Sequence, residues 1–301
     1  MERRFLKIII FISLLITSCQ QIPINESNKK FVSDNIDKQN LEIDLKKQEK
    51  IISYHSDIWS YILANSSYTS DSLDEQTLMY MNRHLQDLDK FKEFLNDSYY
   101  FMFFVIEELE NAKLPIELAF LPYIESNYDP FSISSSGAVG MWQFMPRTGR
   151  TYELERSWWN EDRHDPFKST TAAIKYLKYL YERFDQDLYL TLAAYNAGPS
   201  FLDRQIKRNQ RRGLNSDYWS LDLPIQTRNY VPKFIAIKEL IINSDQYDIE
   251  LPFIPYEPVV AKIEIPGQVE ILTLSEYLNI KPELLYKLNA GYTCLLYTSP
   301  S

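Results

Sequence analysis

The hydrophobic pattern reads as helix along most of the chain. Between about Ile51 and Ala112 there is neither glycine nor proline, and Leu85, Leu88, Phe91, Phe94 and Leu95 recur at helical spacing. Phe101 to Leu109 is strongly apolar and should pack against the core. In Leu114-Pro-Ile-Glu-Leu-Ala-Phe-Leu-Pro-Tyr-Ile124, the residues Leu114, Leu118 and Leu121 stand eleven, seven and four positions before Glu125. At helical pitch they share its face. Pro115 suits a first helical turn, and Pro122 predicts a kink just before Glu125. Ser126 to about Asp165 is loop-rich. Helices are then predicted over Ser169 to Phe184, capped by Ser169 or Thr170, over Leu188 to Ala197 and over Tyr230 to Ile242. Ala173, Tyr176, Leu177 and Leu180 lie on one side of the first of these. No stretch before the C-terminal segment alternates as a strand does. Leu251-Pro-Phe-Ile-Pro-Tyr-Glu-Pro258 is a proline-spaced linker. Beyond it, Val259 to Ile265 has strand character, and Thr273 to Asn289 reads as two short helices.

Composition refines this outline. The chain has 301 residues, 45% of them hydrophobic, enough for one main domain with appendages. Its net charge is −9, and its one concentrated basic patch, Lys207-Arg208-Asn-Gln-Arg211-Arg212, reads as loop decoration. That balance argues against nucleic-acid binding. The 22 tyrosines are a surplus suited to core packing and to glycan or peptide grooves. Only Cys19 and Cys294 occur, which excludes a disulfide framework and a cysteine metal site. Arg3, Arg4 and Lys7 precede the apolar run Ile8 to Ile16 and then Thr17-Ser18-Cys19, the layout of an export signal too short to span a membrane as an ordinary helix. Thr293 to Ser301 breaks the pattern abruptly and reads as an incomplete chain or a foreign junction.

The candidate chemistry is carboxylate chemistry. The sequence holds no Gly-x-Ser-x-Gly elbow, phosphate loop, His-Glu-x-x-His or EF-hand loop. His55, His84 and His164 are scattered and read as surface or structural residues. Glu125 ends a leucine stripe at a helix C-terminus. Desolvation and the helix dipole both raise a carboxyl pKa there, as a general acid working near neutrality requires. Four of the seven glycines (Gly137, Gly140, Gly149 and Gly198) fall between Gly137 and Gly198, which points to a site built on close backbone approach.

Four ordered motifs extend this reading. Glu125-Ser126, Gly137-Ala-Val-Gly-Met-Trp-Gln143-Phe-Met-Pro146, Ala193-Ala-Tyr-Asn-Ala-Gly198 and Thr227-Arg-Asn-Tyr-Val231 together resemble the soluble-lytic-transglycosylase-type, lysozyme-like family. They span Leu114 to about Leu240. The usual Gly-Leu-Met-Gln appears here as Gly-Met-Trp-Gln, so Trp142 departs from the broad pattern. The resemblance implies a helical domain with a groove for glycan strands. It implies cleavage of the β-1,4 bond between N-acetylmuramic acid and N-acetylglucosamine without added water. Glu125 would act first as acid and then as base, closing a 1,6-anhydro ring. It implies that Ser134 and Gln143 hydrogen-bond the sugar, that Met145 (through its backbone), Tyr195 and Asn196 line the groove, and that the Tyr230 hydroxyl holds the catalytic carboxyl. No metal and no cofactor enters. Ile16-Thr17-Ser18-Cys19 resembles a bacterial lipobox, which implies lipidation of Cys19. Gln20 after it implies anchoring at the periplasmic face of the outer membrane.

The expected organisation follows. A signal peptide covers 1–18, a lipid-anchored tether 19–50 and a helical extension 51–112. The catalytic domain covers 113–245, a linker 246–258, and a partial segment of 259–301 resembles a degenerate LysM-type unit. The fold class is mainly α with a small C-terminal α+β segment, and the partners are peptidoglycan strands and a membrane. Two alternatives stay open. A lysozyme-type hydrolase needs a second carboxylate, for which Asp129, Glu153, Asp162 and Asp165 are candidates, although Asp129 before Pro130 also fits turn chemistry. A non-catalytic wall-binding lipoprotein would keep the groove without turnover.

Overall fold

The computed structural model describes residues 9–14, 57–66, 73–265 and 270–293. Cys19, the tether 19–50, His55 and Cys294 lie outside the described residues. The chain divides into two compact units. A helical unit comprises Trp59–Tyr128 and Thr170–Ile254. A loop-rich unit comprises the described residues of 1–58, 129–169 and 255–301.

In the helical unit the order is α1 (Ile58–Asn65), α2 (Glu75–Leu85), α3 (Leu88–Asn96), α4 (Met102–Ala112), a 3-10 turn Ile116–Phe120, and α5 (Leu121–Glu125). After α7 (Pro166–Arg183), within which the unit boundary falls, come α8 (Leu188–Ala197), α9 (Pro199–Arg211), α10 (Ile225–Arg228) and α11 (Tyr230–Ile242). Helix α11 is the centre of the unit. Eleven of its 13 residues are buried, as expected of a helix that is apolar on nearly every side. It packs against α2, α5, α8 and α10. Each fully buried aliphatic or aromatic side chain such as Val231, Phe234 or Leu240 contributes roughly 1.5–3 kcal/mol. Helix α2 starts at Asp74, whose carboxylate accepts the Thr77 amide at 2.7 Å. The Trp59 indole donates to the Pro252 carbonyl at 2.6 Å and ties α1 to the end of the unit.

Three sequence expectations are corrected here. Leu114 to Glu125 is not one kinked α-helix. Pro115 and Pro122 lack amide donors, so the chain first runs as the tighter 3-10 turn and enters α-helix only at Leu121. Leu118 and Leu121 are fully buried all the same. The basic patch lies on helix α9, not on a loop: Leu202, Ile206 and Asn209 form its inner side, and Leu202 and Asn209 are buried. Helix α7 begins at Pro166 and is capped by neither Ser169 nor Thr170. The Asp165 carboxylate accepts the amides of Phe167 and Lys168, each at 2.9 Å.

In the loop-rich unit, Asp129 to Asp165 is held by isolated bridges and by α6 (Pro146–Thr151). Beyond it, β2 (Val260–Ile265), α12 (Ile271–Leu278) and α13 (Pro282–Leu288) follow the predicted order, with Ile271, Leu274 and Leu285 as a local core. The C-terminal segment joins the loop through the Glu161 amide, which donates to the Gly291 carbonyl at 2.8 Å. Ile9–Leu14 forms strand β1, paired in parallel with β2 from Ile9 opposite Val260 to Leu14 opposite Ile265. That overturns the expectation of no strand before the C-terminal segment. The run Ile9-Ile-Phe-Ile-Ser-Leu14 is apolar at five of its six positions and carries three β-branched isoleucines, which suits a strand without regular alternation. Among the described residues no helix is long and apolar enough to cross a membrane.

Candidate active site

Glu125 is the last residue of α5 and is partly buried. The chain behind it reverses through Asn127 (φ 58°) and Tyr128 (φ 56°), both left-handed. The amides of Ser126 and Tyr128 both donate to the Pro122 carbonyl, at 3.0 and 3.2 Å. The buried Tyr128 hydroxyl donates to the Ala119 carbonyl at 2.6 Å. These bonds fix where the Glu125 carboxyl projects. The Tyr230 hydroxyl, at the start of α11, donates to Glu125 Oε1. Burial raises the Glu125 carboxyl from 4.5 to about 7, against the Tyr230 hydrogen bond and the Lys233 charge, which lower it. Burial, then the neighbouring carboxylate, holds the Tyr230 phenol well above its ordinary value, so it remains a neutral donor.

Tyr195 and Asn196 end helix α8 of the same unit. Burial and the Glu125 charge raise the Tyr195 phenol, which packs its ring 5.4 Å from that of Tyr176. Asn196 Oδ1 accepts the Thr227 hydroxyl at 2.9 Å. The helical unit thus brings Glu125, Tyr195 and Tyr230 into mutual electrostatic reach. Lys233 was not singled out in the sequence. Its signal was there, since it stands one helical turn after Tyr230. Its ammonium also lies 5.5 Å over the Tyr80 ring of α2.

Ser134, Gln143 and Met145 belong to the loop-rich unit. The Ser134 hydroxyl accepts the Ala138 amide at 2.9 Å and lies 3.0 Å from the Ser136 hydroxyl. Gln143 is left-handed at φ 49°, and its side-chain amide donates to the Gly140 carbonyl at 2.9 Å. A non-glycine residue in that conformation carries strain of a kind that gathers at functional sites. Met145 is 43% exposed and precedes α6, with its carbonyl accepting the Gly149 amide at 2.9 Å. Gly140 is required sterically: its φ is +81°, and a Cβ there would lie 1.8 Å from the Arg163 carbonyl oxygen. The buried Arg163 guanidinium pairs with both Glu161 oxygens, at 2.8 and 2.9 Å, and donates to the carbonyls of Gly137 and Phe144. The sequence reading did not pick out this pair: the two residues stand two positions apart, but nothing in the local pattern marks them as buried.

The acidic residues considered for a second catalytic role have structural partners. Asp129 accepts the Phe131 amide at 2.9 Å, an Asx turn. Asp162 accepts the Glu155 amide and the Lys168 ammonium, at 3.1 and 2.8 Å. Asp165 caps α7 and is pushed up to about 6 by burial. Glu153 is left-handed at φ 64°.

Residues 103–217 match the model of the transglycosylase SLT domain family. Among individual relatives, it is 33% identical over 242 residues to membrane-bound lytic murein transglycosylase D of Escherichia coli K12, covering 78% of this chain and 52% of that protein. It is also 33% identical over 108 residues to membrane-bound lytic murein transglycosylase F of Alcanivorax borkumensis, covering 34% of this chain and 22% of the relative. A partial structural likeness (20% identity, TM-score 0.40) extends to the 70 kDa soluble lytic transglycosylase of E. coli, over 61% of this chain and 32% of that one. The chain spans about half the length of the curated relatives it matches first.

Proposed function

We propose that the protein is a peptidoglycan lytic transglycosylase with Glu125 as its acid and base. The observation that supports this most is the pairing of a carboxyl held near neutrality with a phenol that donates to it. Protonated Glu125 gives its proton to the glycosidic oxygen as the C1–O4 bond breaks, releasing the N-acetylglucosamine 4-hydroxyl. The resulting carboxylate takes the proton of the muramoyl C6 hydroxyl as O6 bonds to C1. The anhydro ring closes, Glu125 is again protonated, and no water is consumed. The internal hydroxyl is already at high effective concentration, so a second carboxylate to activate water is not needed. The structural engagement of Asp129, Asp162 and Asp165 favours this reading over the hydrolytic one.

Tyr230 orients the carboxyl and limits how far burial raises it. Tyr195 and Asn196 line the glycan groove. Ser134, Gln143 and the Met145 backbone contribute polar contacts to the sugars. Lipidated Cys19 holds the enzyme at the periplasmic face of the outer membrane, after removal of 1–18. The segment 259–301 serves as a LysM-type wall-binding unit behind the linker 246–258, and the extension 51–112 supports the catalytic domain 113–245. The relatives named membrane-bound support the envelope location.

The test is release of soluble muropeptides from purified sacculi. The unsubstituted chain should solubilise them, and Glu125→Gln should bind sacculi equally but release nothing above background. Binding without release by the unsubstituted chain would leave the non-catalytic lipoprotein as the better reading.

A further inference from the structure

Trp219 is 52% exposed, yet the turn that carries it is held by a set of side-chain hydrogen bonds. The 3-10 turn Tyr218–Ser220 is capped by Asp217, whose carboxylate accepts the Ser220 amide at 3.1 Å and the Ser220 hydroxyl at 2.8 Å. Asn209 of α9 donates to the Asn215 and Ser220 carbonyls, each at 2.8 Å. The buried Tyr218 ring meets the Trp219 ring edge-on at 4.9 Å, and its hydroxyl donates to the carbonyls of Thr227 and Arg228. The Tyr189 ring also lies 6.0 Å from Trp219, at 74°. A large indole left in water on a rigid support is suited to binding, because ordering it on contact costs little entropy.

Its position relative to Asn196 is also defined. Tyr189 and Asn196 both lie on α8, seven residues apart, so they share a face about 10.5 Å apart along the axis. A connected path fixes that register: Asn196 accepts Thr227, Thr227 accepts Tyr218, and Tyr218 packs on Trp219. The spacing is comparable to one disaccharide repeat of a β-1,4-linked glycan. Pyranose rings present an apolar C–H face, and an exposed indole edged by a phenol is a surface on which such a face stacks.

Resting on the transglycosylase reading, we propose that Trp219 with Tyr189 forms a remote N-acetylhexosamine subsite that grips the glycan strand about one disaccharide away from Asn196. The probe is chitohexaose, titrated calorimetrically into Glu125→Gln protein, so that binding is read without turnover. Adding Trp219→Ala should weaken binding about tenfold, the scale of a lost aromatic contact, whereas adding Trp219→Phe should hold it within about threefold. Melting temperatures are measured alongside, with Trp219→Gln as a substitute of closer volume should the alanine variant melt early. Unchanged chitohexaose affinity in a folded Trp219→Ala or Trp219→Gln variant overturns the proposal. So does an equal loss in Trp219→Phe. Failure of the enzymatic reading would show separately, as absent muropeptide release by the unsubstituted chain.

Discussion

The Tyr230 hydroxyl donates to the Glu125 carboxylate across 105 residues of sequence, joining the start of α11 to the end of α5. The two effects on that carboxyl oppose each other: burial raises its pKa and the phenol lowers it. Removing the hydroxyl should therefore move the pH profile as well as the rate. In Tyr230→Phe, kcat is expected to fall on the order of 10–100-fold. The alkaline limb of the profile should shift upward. A fall in rate with an unmoved limb would show that the phenol does not act through Glu125.

The pH dependence of the unsubstituted protein has a definite sign. As the proposed acid Glu125 would start protonated, and with burial raising its carboxyl to about 7, turnover should be highest below that pH and fall as pH rises through it. Rates of muropeptide release in a buffer series check this.

The same shift bears on stability. The folded-state pKa of about 7 lies above the ordinary 4.5, so the contribution is fully present below 4.5 and is lost as pH rises through about 7. Glu125→Gln should thus match the parent near pH 4 and exceed it near pH 8, by about 1–2 kcal/mol after allowance for the partial exposure of the carboxyl. Paired denaturant titrations at the two pH values measure it.

Gly140→Ala should be among the most damaging single changes in the loop-rich unit. A methyl group would meet the Arg163 carbonyl at 1.8 Å on a backbone of φ +81°. A loss of at least ~3 kcal/mol is expected by thermal melting. An unaltered melting temperature would show that the loop does not hold this conformation in solution.

The proposed anchoring through Cys19 has a separate test. Expressed with its leader in a Gram-negative host, the protein should incorporate radiolabelled palmitate and fractionate with the outer membrane. Cys19→Ala should abolish the label.

Much of the helical unit was legible because its helices are marked by apolar sides or apolar density and by clear ends. Leu188–Ala197 and Tyr230–Ile242 were both readable to the residue from Asp187 ahead of the first, Gly198 after it, and the apolar density of the second. Helix α9 was not, because Arg204, Lys207, Arg208 and Arg211 dominate its composition while only Leu202, Ile206 and Asn209 mark the inner side. The start of α7 was misread because its cap, Asp165, precedes a proline and looks like a turn. In the site, Glu125 was marked by its leucine stripe as well as by the motifs, and Tyr230 by the resemblance alone. The contacts of Thr227 with Asn196 and of Lys233 with Tyr80 link elements distant in sequence, which no window of local pattern contains.

The most direct measurement is the mass of the glycan ends released from sacculi. If Glu125 passes its proton to the leaving sugar and recovers one from the muramoyl C6 hydroxyl, the products carry 1,6-anhydromuramoyl ends, lighter by one water than hydrolytic ends, and Glu125→Gln yields none. Reducing ends that contain the added water, or undiminished anhydro products from Glu125→Gln, would contradict the account.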